Sequence, residues 1–181
     1  MVLLEFERIL DRLGGWLIHA DFGLGLLFVV GLSMSLSHVF ALFANRLSSR
    51  QILCRLLLDA VVLALAFLLS SSIDMVLLRL YASNPVHPSD LVNGMATCLL
   101  PACFYVCVAA PYIGETIGFV IWVLMHLNVV TFVHVRFALP WDQSLLLCTP
   151  GYVLAVVVVA LLFRQGWQRS YAMLASELAE P

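Results

Sequence analysis

The chain has 181 residues, 63% of them apolar and 11% charged, with a net charge of −2 and a mean hydropathy of +1.04. Soluble domains run near ~45–50% apolar and ~25% charged, so this composition excludes a water-soluble globule, as it does disorder, a coiled coil and a collagen-like chain. Nine arginines, no lysine and eleven scattered acids form no clustered basic face, which argues against nucleic acid as a partner.

Residues 2–18 place Leu3, Phe6, Ile9, Leu10, Leu13 and Leu17 on one helical stripe, with Glu5, Arg8 and Arg12 away from it. This predicts an amphipathic helix too charged to span, lying in the headgroup plane with Trp16 near the boundary and ended by Gly14-Gly15. Glu5, Glu7, Arg8, Asp11 and Arg12 interrupt the segment, so it does not read as a secretory signal.

A hydrocarbon core of ~30 Å needs about 20 helical residues, and five runs poor in charge meet that length: residues 22–45, 56–79, 91–112, 116–135 and 144–163. The expected fold is all-α and polytopic, a single membrane domain holding a five-helix transmembrane bundle with an N-terminal interfacial amphipathic helix. The first run carries Gly31 and Ser35 four residues apart, a spacing that lets helix backbones approach closely. Arg46, Arg50 and Arg55 cluster after it, and the positive-inside tendency favours that loop as cytoplasmic.

The second run centres on Phe67, with Asp59 and Asp74 toward its ends. At 1.5 Å per residue these carboxylates stand roughly 12 and 10 Å from the centre, inside a half-thickness of ~15 Å. An ionised Asp at such a depth costs up to ~3 kcal/mol unless paired or wetted. Arg55 lies one turn before Asp59 and can neutralise it, whereas Arg79, five residues after Asp74, is a poorer match. Alternating helix directions gather His38, Arg55, Asp59 and Glu115 at one end of the bundle, and Asp74, Arg79, His134, Arg136 and Asp142 at the other. Those clusters read either as a proton or ion relay or as charges satisfied by local pairing and snorkelling.

The third run opens after the turn Asn84-Pro85-Val86-His87-Pro88, where Ser89 or Asp90 can cap a helix. The third and fourth runs are parted by Glu115, which makes them an antiparallel hairpin, and Gly114 and Gly118 open the fourth with another small-residue face. Near the middle of the fourth, His126 reads as a neutral imidazole bonded to a neighbouring helix, or as a ligand to haem or chlorophyll. His38, the other histidine wanted for two-histidine ligation of haem, is offset by about five residues, or ~8 Å.

Signatures of catalysis are weak. Gly31-Leu32-Ser33 resembles the Gly-x-Ser nucleophile of rhomboid-type intramembrane proteases, but no base is placed beside it. No zincin motif, phosphate-binding glycine loop or hydrolytic acid pair occurs. The five cysteines lack a Cys-x-x-Cys pair and read as small buried hydrophobes, with no metal site among them. No catalytic residue is assigned.

From Leu91 onward the layout resembles the Ypt-interacting protein (Yip) membrane family, over less than half of the chain. The resemblance lies in a helix with a central Pro101, the turn Pro111-Tyr112-Ile113-Gly114 into a Trp-containing helix, the loop 136–144 and a Val/Leu-rich last helix. It implies a five-helix scaffold, with eukaryotic relatives acting in vesicle trafficking through small GTPases, and it carries over Pro101, Pro111 and Gly114 as packing and turn positions. The functional expectation is a non-enzymatic scaffold, assembly factor or accessory subunit, in contact with lipid and with a membrane-protein partner or a second copy. A small transporter or proton-linked channel using Asp74, His126 and His134 is the alternative, and a haem- or chlorophyll-binding subunit the third.

Overall fold

In a computed structural model of the chain, the described residues are 2–19, 25–37, 48–81, 87–110 and 112–179, with side chains described over 5–17 of the first stretch and up to Leu161 in the last. They are almost entirely helical, without a strand among them: α1 (Val2–His19), α2 (Gly25–Leu36), α3 (Ser49–Tyr81), α4 (Pro88–Cys98) running into a 3₁₀ helix (Leu100–Ala109), α5 (Gly114–Phe137) and α6 (Trp141–Ala179). Four stretches are long and apolar enough to cross a membrane: α3, α4 with its 3₁₀ continuation, α5, and α6 over Trp141–Leu161. This is the architecture of a multi-pass membrane protein. The run at 22–45 is described only where α2 covers it, and His38 and Pro111 lie outside the described residues.

The apolar residues face both ways. Leu63, Phe67, Met125 and Ala155 from three helices fill one core cluster, with Val30 and Met34 of α2. Leu78, Leu91, Val133 and Cys148 fill a second, toward the end where α1 docks through Leu17. Yet Leu58, Leu65, Leu69 and Leu80 of α3 and Phe119 of α5 remain more than half exposed, Phe119 at 70%. Helices apolar on every face are buried or lipid-bathed, and an outer surface of this kind suits a bilayer.

Where the backbone leaves α-geometry, its freed groups find partners inside the bundle. Pro101 has no N–H for the i−4 ladder, and the chain tightens to 3₁₀ with the Ala102 amide bonding the Leu99 carbonyl at 2.9 Å. The Cys98 carbonyl, which that amide would serve in an α-helix, instead accepts from Asn128 Nδ2 of α5 at 3.2 Å. Ser33 Oγ of α2 donates to the Cys103 carbonyl at 2.7 Å. Hydroxyls elsewhere fold back on their own helices, as Ser71 does to Phe67 and Thr131 to Leu127. In lipid, with no water to serve these groups, such bonds are favoured.

Gly14-Gly15 does not end α1, which runs on to His19. Glycine costs about 1 kcal/mol per helical position relative to alanine, but a Cβ at Gly14 would overlap Val135 Cγ2 and press on Thr131. Packing against α5 therefore carries the helix through. The stripe read from sequence is divided: Leu10 and Leu17 are buried against the bundle, while Phe6 and Ile9 stay exposed, as does Trp16.

Candidate functional site

Asp74 is the one acidic side chain among the described residues that is buried, at 2% exposure. It lies on the inward stripe of α3 formed by Ala60, Leu63, Phe67, Ser70, Ser71 and Leu78, whose spacing of three and four residues turns one helical face to the core. Asp59 falls beside that stripe and is only partly covered, with Arg55 near enough to act on it through space. Thus the two carboxylates that seemed equivalent by depth differ in environment.

The Asp74 carboxylate borders a cavity of about 30 Å³ lined by Phe67, Ser70, Ser71, Met95, Leu99, Trp122, Met125, Val129, Tyr152 and Ala155. That is room for a water-sized occupant. Asp74 Oδ1 has no hydrogen-bond partner within the protein. The Gly151 amide of α6 lies within reach of the carboxyl group, and a Cβ at Gly151 would overlap Oδ1 and sit 2.8 Å from the Ser70 carbonyl. Glycine here is what permits α6 to approach. Pro150, just before it, has no N–H to return to the Leu146 carbonyl, yet α6 continues through it.

Aromatic rings wall the site. Phe67 and Trp122 have centroids 6.2 Å apart, and Trp122 and Tyr152 meet edge-on at 5.9 Å. Behind Tyr152, His126 stacks on its ring at 4.2 Å. One imidazole nitrogen, Nε2, is 3.5 Å from Thr149 Oγ1, and the other, Nδ1, is buried without a partner. His126 thus meets α6 at Tyr152 and Asp74 meets it at the preceding residue, Gly151.

The other ionisable candidates are dispersed. Arg79 and Glu115 are exposed, and neither forms an ion pair with another described residue. His134 bonds the Leu139 carbonyl through Nδ1, stacks on Trp141 at 3.9 Å, and holds Nε2 at 3.7 Å from Asp11 of α1. Arg136 pairs with Asp90 at 3.3 Å. The far-end cluster expected from depth is thus split, with Asp74 in the core and His134 and Arg136 tying α1 and α4 to α5. The small-residue faces are taken up within the chain: a Cβ at Gly31 would strike the Ala60 carbonyl of α3, one at Gly114 the Val108 carbonyl, and Gly118 faces Val108 and Tyr105. Ser35 is buried with its hydroxyl unpartnered.

Sequence reasoning missed Ser70, Ser71, Trp122, Gly151 and Tyr152. For the serines a signal existed, since they share the helical spacing of Asp74; for Gly151 and Tyr152, brought in by a helix far along the chain, none did. No family model, curated protein or solved structure matches this chain.

Proposed function

We propose that the chain is a five-span membrane protein, with α2 forming part of the first span and α1 lying along the headgroup plane, and that it works as a small proton-linked transporter centred on Asp74. The Yip-like layout of its second half leads to the same count of spans. A single observation carries the functional reading: a carboxylate buried among apolar helices, with one oxygen unpartnered, beside a cavity that fits a water. Placing an ionisable group at membrane depth costs about 3 kcal/mol on insertion scales. A purely structural carboxylate recovers that cost through an arginine or a closed set of hydrogen bonds. Asp74 has no ion pair with a described residue and an open acceptor, the condition of a group that takes up and gives back a proton.

Lateral association as a scaffold has less support. The small residues that recommended it, Gly31, Gly114 and Gly118, pack against the chain's own backbone and side chains. What remains for a partner is the apolar outer face that lipid also covers.

Reconstitution into liposomes containing a pH-sensitive dye tests the transport reading. Under an imposed diffusion potential, the full chain accelerates proton entry over protein-free vesicles, Asp59→Asn preserves that rate and Asp74→Asn returns it to background. Equal rates for Asp74→Asn and the unaltered protein would overturn it.

A further inference from the structure

We propose that protonation of His134 latches α1 onto the bundle, holding that helix in mildly acid solution and loosening it as the pH rises. The latch stands apart from the transport reading and does not rest on it.

Three partners surround the imidazole, and all of them suit the doubly protonated ring. The Leu139 carbonyl bonds Nδ1 and can only accept, so that nitrogen carries a hydrogen. Nε2 then faces Asp11 Oδ1 of α1 at 3.7 Å. A neutral ring turns a lone pair toward that carboxylate, which also only accepts, whereas an imidazolium offers it a second N–H and a positive charge. The ring face stacks on the Trp141 indole at 3.9 Å, a contact that gains strength with a cation. His134 also lies in the last turn of α5, where the helix dipole favours positive charge.

Among the described residues Asp11 is the one charged group within ion-pair distance of His134. On its own helix, Arg136 is engaged by Asp90 of α4 at 3.3 Å. On α1, Glu7 and Arg8 stand one turn before Asp11 and Arg12 next to it, all exposed and without an ion pair to a described residue. On α6 the charged neighbour of Trp141 is Asp142, exposed and likewise unpaired.

The pair flanks the seam between α1 and α5. Gly14, one turn after Asp11, comes close to Thr131 and Val135, and Leu17 is buried with Leu78, Leu91, Val133 and Cys148. When His134 takes up a proton from solvent at Nε2, a charge-assisted tie is added beside this seam. When the proton returns to solvent, the apolar contacts alone remain. Docking and protonation favour each other, so docking weakens as the pH rises through the range in which histidine loses its charge. Asp11 is more than half exposed, which gives the tie the modest strength of a surface ion pair.

The test measures the opening of α1 by thiol trapping, in the full chain in detergent with the exposed Cys54 and Cys107 changed to serine. Leu17→Cys places a thiol beneath α1, and Glu5→Cys, in a second protein, gives the rate for an exposed thiol on the same helix. The ratio of their rates with a methanethiosulfonate reagent cancels the pH dependence of thiol reactivity itself. We expect the buried position to be protected two- to fivefold more strongly at about pH 5.5 than at about pH 8, roughly the worth of one exposed ion pair. Asp11→Asn, at an exposed position, and His134→Gln each remove that difference. Equal protection at both pH values, or a difference that survives undiminished in either variant, overturns the inference.

Discussion

Gly151 lies so close to Asp74 that a single methyl group on it would occupy the space of the carboxylate oxygen and press on the Ser70 carbonyl behind it. The apposition of α3 and α6 at the site depends on the absence of that one carbon. Gly151→Ala is therefore predicted to destabilise the protein by about 1–3 kcal/mol, as overpacking of a close helix contact does. Gly15→Ala is the control: its Cβ meets nothing within 4 Å, and the exchange is expected to stabilise by about 0.5–1 kcal/mol through helix propensity. Thermal unfolding of both variants in one detergent checks the difference in sign.

Asn128 serves a carbonyl that Pro101 and the 3₁₀ segment leave unbonded, and it lies in the core at 9% exposure. Asn128→Leu fills a similar volume but abandons the Cys98 carbonyl. The predicted loss is about 0.6–2 kcal/mol, the range of interhelical polar contacts in membranes. Pro101→Ala in the same background should restore part of it, because an alanine amide lets the segment return toward α-geometry and recover its ladder. A double-mutant cycle of unfolding energies measures the coupling, and strict additivity would contradict it.

Ala138 closes α5 in the left-handed region at φ 52° and ψ 37°. A residue with a Cβ is held there at a cost of roughly 1–2 kcal/mol, and Ala138 is exposed, so little packing is lost with its methyl group. Ala138→Gly is predicted to stabilise by about 1 kcal/mol or less, offset in part by greater freedom of the unfolded chain. Unfolding midpoints of the two proteins decide it.

The helices were legible in sequence because charge-free length is a one-dimensional property. The read span at 56–79 sits inside α3, and those at 116–135 and 144–163 fall largely on α5 and α6. The inward facing of Asp74 was not read, although its spacing from Phe67, Ser70, Ser71 and Leu78 carries it; depth alone could not tell it from Asp59. Pairing was not legible. Arg136 meets Asp90 and His134 meets Asp11 across long stretches of chain, and such partners are set by which helices lie side by side. Nor was the use of the glycines: Gly31, Gly94 and Gly151 each mark a close approach, to Ala60, Phe132 and Asp74 respectively, but a missing Cβ says nothing of what will occupy its place.

The central claim is that the Asp74 site lies within hydrocarbon, and Trp122, which lines its cavity, reports on it directly. With Trp16, Trp141 and Trp167 replaced by phenylalanine, the remaining indole is to be excited in vesicles containing lipids brominated along the acyl chain, and separately in the presence of iodide. The account predicts blue-shifted emission that the brominated lipids quench and iodide does not. Emission quenched by iodide and indifferent to the brominated chains would contradict it.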